Sequence, residues 1–549
     1  MWLRNLVFIG FCIAGFAAIA GGLLTAERVD EPSLAHPAQF QSDDFARQLR
    51  ALNAEFETDW SEAGMAAAPR ADDLTIARRI SLGLTGTIPS LEEIRSLERQ
   101  PPEQRIPWWL SHILEDRRYA DYVAERLGRA YVGTEGGPFL VYRRRRFVMW
   151  LSDRLAENMP YDKLVRTLIS DTGLWTDSPA VNFVTVTLDQ NNDKGPDEIK
   201  LAARTSRAFL GMRIDCLQCH DDNLGTINLG SDADPVDGLQ THFHQLAAFY
   251  SSAKSTGRGI QDDRNREYKY QFLGAESEET VTPNVPFYPE LLEQRGTRRQ
   301  QLARWVTHTE NRAFARATVN RAWAILFGRP LVEPVDDIPL AGDFPRGMDL
   351  LADDLIQHHY DLARLFRLIA MSRPFQNDSR ADFEITSRHE DHWAVFPLVR
   401  LRPEQVAGSI QQASSLKTID ADAHIIKRLQ KFGQQQNFVE RYGDIGEDEF
   451  DDRGGTITQR LLMMNGNVVK ERTEPNFVMN SSTRIAILAP DDETAVTTAF
   501  LAIFTRRPAD EERSHFVDRL RGKKGYARQA AVEDLYWTLM NSTEFSWNH

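Results

Sequence analysis

The chain has 549 residues, 42% of them apolar, and carries 79 acidic against 65 basic residues for a formal charge of −14. That length supplies cores for roughly two to four domains, and the apolar content excludes a globally disordered chain. The acidic excess excludes nucleic acid as the main partner, because neutralising phosphates takes a net basic face.

Residues 1–26 open with one basic residue, Arg4, followed by apolar or small residues from Leu6 to Leu24 and then Thr25-Ala26. A basic start, a hydrophobic run and small residues at a cleavage point make an export signal. Residues 3–24 are also long enough for an uncleaved membrane anchor, since a spanning helix takes roughly 17 to 25 residues. Both readings place the protein outside the cytoplasm, in the periplasm or cell envelope. Cys12 lies within this run and reads as apolar filler.

Residues 27–71 form a polar lead-in with one helical patch at 45–52. From Asp72, the residues Leu74, Ile76, Ala77, Ile80 and Leu84 recur at helical spacing, and the glycines at 83 and 86 predict the stop. Ser90 and Glu93 stand in capping-box register for a second helix. Helical patterns follow at 108–114, 119–127 and 147–155, interrupted by Arg143-Arg144-Arg145-Arg146. Four consecutive arginines point around all sides of a helix, so the run reads as a solvated face or as a set of carboxylate contacts. Residues 162–169 read as a helix, 182–188 as a short extended run, and 197–210 as a helix ending at Gly211.

That helix delivers the chain to Cys216-Leu217-Gln218-Cys219-His220, which holds the two cysteines outside the N-terminal run. Cys-x-x-Cys-His is the spacing of covalent haem attachment. Thiols three positions apart on one helical turn reach the two vinyl groups of one porphyrin, and the adjacent imidazole binds its iron. This points to one haem c on Cys216 and Cys219, with His220 as proximal ligand, and to electron transfer with a redox partner protein. The sixth ligand is open among Met212, His242 and His244. The same residues also fit a Cys216–Cys219 disulfide in a non-haem scaffold, structural or carbohydrate-associated. A thiol redox pair, a zinc site, or a metal-dependent enzyme using His220, Asp221 and Asp222 are further readings. The arginine run at 143–146 is suited to haem propionates or an acidic partner.

After the motif, residues 221–238 are rich in Asp, Asn and Gly and read as a loop, and a helix resumes from 242. Residues 255–290 read as a connector with short strands at 268–273 and 279–283. Helical patterns then run at 302–306, 313–327, 350–356 and 361–371. No nucleophile elbow, phosphate-binding glycine loop or His-Glu-x-x-His helix is present.

The stretches 78–86 (Arg-Arg-Ile-Ser-Leu-Gly-Leu-Thr-Gly), 158–162 (Asn-Met-Pro-Tyr-Asp), 216–221 and 245–250 resemble, in this order, the planctomycete cytochrome-related domain called PSCyt2 or DUF1549. In that family the motif commonly continues His-Asp-His-Pro-Phe-Asp. Here it reads His220-Asp221-Asp222-Asn223-Leu224-Gly225, so the family's second histidine is missing from its place. Asn320-Arg321-Ala322-Trp323, residues 327–332, Tyr360-Asp361-Leu362 and residues 368–372 resemble the companion domain PSD1 or DUF1553. The expected architecture is mainly α. It comprises a PSCyt2-like domain at 72–254, a connector at 255–290 with short β-strands, and a PSD1-like helical domain at 291–549.

Overall fold

Side chains that satisfy the orphan amides of a helix start fix the first elements. Ser42 accepts from the Phe45 amide ahead of α1 (Asp43–Glu62), and Asp72 accepts from Leu74 and Thr75 ahead of α2 (Asp73–Thr85). The expected capping box forms at Ser90 and Glu93 before α3 (Leu91–Glu98). The computed structural model describes residues 42–134, 142–188, 195–419, 450, 457–477 and 479–549. The export signal or anchor expected at 1–26 lies outside them. Among the described residues, no helix is long and apolar enough to cross a membrane.

Four helices follow: α4 (Arg105–Glu115), α5 (Arg117–Val132), α6 (Arg144–Ala156) and α7 (Tyr161–Ser170). The arginine run is put to local use. Arg144 grips both carboxylate oxygens of Glu125 on α5 at 2.8 and 3.0 Å, while Arg143 and Arg146 lie over the Trp175 ring. Residues 182–188 are not extended, contrary to the expectation from their Val and Thr content. They make a short buried helix, Asn182–Thr185, and a turn, with Val186, Thr187 and Leu188 amides bonded three or four residues back. A run buried on every side with no neighbouring strand must satisfy its backbone locally.

α8 (Glu198–Leu210) is capped by Asp197 and closed by Gly211 at φ 65°, where a Cβ would come within 2.9 Å of Ile338 Cδ1. Beyond the motif come α9 (Gln240–Ala247) and two antiparallel pairs, β1 (Ala253–Thr256) with β2 (Gly259–Asp262) and β3 (Lys269–Tyr270) with β4 (Glu279–Thr280). The remaining elements used below are α10 (Arg298–Val306), α11 (Arg312–Phe327), α12 (Met348–Gln357) and α13 (Leu362–Met371). β5 (Val399–Arg400) pairs with β6 (Trp547–Asn548), which joins residues nearly 150 positions apart. The protein is mainly α, as expected.

The core does not divide at the connector. α11 is buried around almost its whole circumference and packs on α2 and α8 from the first half and on α12 and α13 from the second. A helix buried on nearly all sides is covered by elements from both halves. Gly83 permits the approach on the α2 side, where a Cβ would meet the Leu326 backbone at 3.1 Å. One continuous core therefore runs from Phe45 to Phe396, joined by Leu501. A second core gathers Leu401 to Phe545 around Leu82 and Ile88.

Buried arginines tie the halves together. Arg79 donates to the carbonyls of Phe375, Asn377 and His549, and Arg299 donates to the carbonyls of Ile169 and Asp171 and to the Asp262 carboxylate.

Candidate motif at residues 216–220 and its scaffold

From Gly211 the chain passes through the buried Met212 and Ile214 into one 3₁₀ turn, Asp215–Gln218, which the Cys219 amide extends by donating to the Cys216 carbonyl at 3.2 Å. Leu217 is fully buried and pins the turn to the core, while Cys216, Cys219 and His220 face solvent. Both thiols are free, so the disulfide is not formed in this structure. Burial, with Asp222 and Asp215 acting in the same direction, pushes the Cys216 thiol up against the pull of backbone hydrogen bonds. A redox-active thiol relies on a lowered value, so Cys216 lacks that activating feature.

The Gln218 carbonyl, between the two cysteines, accepts three hydrogen bonds: from Gln240 Nε2 at 3.0 Å, His244 Nε2 at 3.0 Å and the Tyr270 hydroxyl at 3.1 Å. Gln240 and His244 share a face of α9, and Tyr270 comes from β3. Three donors on one oxygen hold the turn from two elements at once. His220 Nδ1 lies 2.8 Å from the Asp221 carbonyl, which can only accept. Nδ1 therefore carries the proton, and Nε2 is left with its lone pair on the exposed side of the ring. A metal-bound imidazole has this pattern, since a carbonyl on the far nitrogen fixes tautomer and ring orientation.

The neighbouring acidic groups are committed elsewhere. Asp221 Oδ1 accepts the Gln240 amide at 2.7 Å at the start of α9, and Asp222 closes the following loop by accepting from Leu224, Ile227 and the Thr226 hydroxyl. This corrects the expectation of a metal-dependent site at His220, Asp221 and Asp222. Those atoms do not converge, and the carboxylates serve backbone amides. Among the described residues, two other groups have ligand-like spacing, Asp44/Asp354/His358 and Glu93/His112/Asp116. Each already holds a cation. Arg364 lies at 2.7 Å from Asp354 and 2.8 Å from Asp44, and Arg118 bonds both Glu93 and Asp116.

The three residues expected as sixth ligands separate clearly. His244 is fully buried, accepts the Tyr268 hydroxyl on Nδ1 at 2.8 Å, stacks 3.5 Å from the Tyr270 ring, and donates to Gln218 from Nε2. Neither ring nitrogen is left for a metal, so His244 belongs to the scaffold. Met212 lies in the main core at 5% exposure. His242 is half-buried and accepts the Leu239 amide on Nδ1 at 3.1 Å, and among the described residues its Nε2 makes no hydrogen bond. Burial pushes the His242 value down, against the opposing pull of Asp221, and in the neutral ring that accepts on Nδ1 the proton sits on Nε2, the reverse of the His220 tautomer.

Sequence reasoning did not reach Gln240, Tyr268 and Tyr270. The i,i+2 spacing of the two tyrosines marks one face of a strand, but their partners are a backbone carbonyl and a distant histidine, which leave no trace in spacing.

Residues 52–252 match the PSCyt2 family model, described as a protein of unknown function (DUF1549). Residues 298–449 match the PSD1 model, described as a protein of unknown function (DUF1553). The two matches follow one another in the order that the sequence resemblance gave. No curated protein and no solved structure matches it. The PSCyt2 match contains the Cys216–His220 turn and its α9 partners. It stops short of Tyr268 and Tyr270, so the scaffold of the motif draws on residues between the two matched regions.

Proposed function

We propose that this tandem PSCyt2–PSD1 chain is an exported, c-type cytochrome-like protein carrying one haem covalently on Cys216 and Cys219. His220 is the proximal iron ligand, and the chain passes electrons to a redox partner protein. The observation that carries this reading is the state of the motif. Two free, exposed thiols and an imidazole with its Nε2 lone pair outward stand on one turn whose backbone is held by Gln240, His244 and Tyr270.

The residues present fit the group. Each cysteine adds its Sγ–H across a vinyl double bond, forming a C–S bond and placing the hydrogen on the neighbouring carbon, with no oxidant required. His220 needs no change of tautomer to offer Nε2. Exposed apolar side chains occur nearby in the chain, Leu224, Val236 and Leu239 on the loop that follows the motif, and Leu273, whose amide donates to Gln240. When bound, haem supplies one-electron exchange at its iron, with a potential set by axial ligand and burial. Of the three residues expected at the sixth position, His244 and Met212 are committed to the scaffold and the core, and His242 would offer a lone pair on Nε2 only after releasing the Leu239 amide from Nδ1. Export supports the same reading, because covalent haem attachment in bacteria takes place outside the cytoplasm.

The test is expression in a host able to attach haem c. The expected product shows a Soret band that survives denaturation and solvent extraction, with a mass increased by one haem on the peptide containing Cys216 and Cys219. Protein of unmodified mass from such a host, or protein whose two cysteines are two hydrogens short, overturns the reading.

A further inference from the structure

A cavity of about 270 Å³ lies where α5, α8 and α11 meet, at the junction of the PSCyt2 and PSD1 regions. α8 lines it with Lys200, Arg204 and Arg207, which share one stripe at i, i+4 and i+7. α11 contributes Arg321, and the chain beyond α11 contributes Asp336.

Arg321 decides the character of the cavity. It is only 8% exposed, and among the described residues it makes no hydrogen bond and no ion pair. Its charge is near the phenols of Tyr131 and Tyr161, which bond to each other at 2.6 Å. Asp336 does not answer it. Oδ2 of Asp336 takes Arg207 at 2.7 Å, and Oδ1 takes Arg213 at 2.8 Å. A guanidinium buried to this degree is costly unless an anion meets it. Its planar fork of donors matches the paired oxygens of a carboxylate or phosphate.

We propose that this cavity binds a small oxyanion, a carboxylate or phosphoryl compound, clamped by Arg321 from α11 and by the Lys200/Arg204/Arg207 stripe from α8. The volume is at the low end for ligand pockets, which fits a compact, multiply charged compound rather than a large cofactor. Ligand here bridges the two family regions. Because Arg207 also lies 3.6 Å from Asp215, the residue before Cys216, the site is one side chain away from the Cys-x-x-Cys-His turn. The site does not depend on whether haem is attached.

Titration calorimetry of the full chain, with citrate and with inorganic phosphate as ligands and glycerol as the uncharged control, tests this. Saturable one-site binding of at least one anion is expected. Citrate alone points to a carboxylate ligand, phosphate alone to a phosphoryl ligand, and both to general oxyanion recognition. Arg321→Met is expected to weaken binding at least tenfold, Lys200→Ala on the exposed rim a few-fold, and Arg388→Ala on a remote surface not at all. Circular dichroism checks folding, and if Arg321→Met fails to fold, Lys200→Ala and Arg321→Lys decide. Absence of saturable binding for both anions overturns the proposal. So does wild-type affinity in the folded cavity variants.

Discussion

Every residue from Arg78 to Gly86 is buried, whereas at Cys216–His220 the two thiols and the imidazole face solvent and only Leu217 is fully inside. Both stretches carry the PSCyt2 resemblance, yet their polar atoms are used in opposite ways. Arg79 spends its guanidinium on three carbonyls from distant segments, and burial pushes its value down to about 9 despite nearby carboxylates. At the motif the surroundings are spent and the reactive atoms are spared: the Gln218 carbonyl, Asp221, Asp222 and His244 all have partners within the fold. A polar residue in a recurring pattern thus does one of two jobs, cross-linking the interior or presenting chemistry. Burial together with the use of its hydrogen bonds tells which.

Breaking the interior class should be costly. Arg118→Met leaves the buried carboxylate of Glu93 beside Asp116 with no guanidinium, and a loss of about 3–5 kcal/mol is expected in urea denaturation. A loss within the range of ordinary surface substitutions would remove the distinction drawn here. The same pair sets an acid limb. Burial works to raise the Glu93 carboxyl, but the Arg118 charge outweighs it and holds the group well below the usual carboxylate range. A depressed acid favours the folded state above its unfolded value, near 4.5, and that contribution is lost as pH falls towards and through the folded value. Urea midpoints at pH 6, 4.5 and 3 should therefore fall more steeply in the wild type than in Glu93→Gln.

The scaffold of the motif belongs energetically between the two classes. His244→Phe removes one of three donors to the Gln218 carbonyl and strands the Tyr268 hydroxyl, at an expected cost of about 1–3 kcal/mol. Among the chains that fold, it should also lower the fraction that acquire the extraction-resistant Soret band, because the turn that presents the two thiols loses a support. The exposed class should cost least. In haem-free protein, Cys216→Ser and Cys219→Ser are expected to stay within about 0.5 kcal/mol of wild type. In a haem-attaching host the double variant should lose covalent attachment altogether.

The sequence by itself determined what is local. The capping box at Ser90 with Glu93, the stop at Gly211 and the helical periodicities depend on residues within a few positions of one another, and they stand where they were expected. The spacing of Cys216, Cys219 and His220 belongs to the same category. Only the tertiary structure decided the rest. Residues 182–188 turned helical because, among the described residues, no strand lies beside them, and the core crossed the connector because α11 is buried on nearly every side. His244 became a support rather than a ligand because Tyr268, Tyr270 and Gln218 converge on it. Arg321, which the sequence placed only within a stretch resembling PSD1, lines a cavity because α8 turns a basic stripe towards it. Each of these depends on which distant surfaces meet, and burial and hydrogen bonding reward that meeting without recording it in the spacing of residues along the chain.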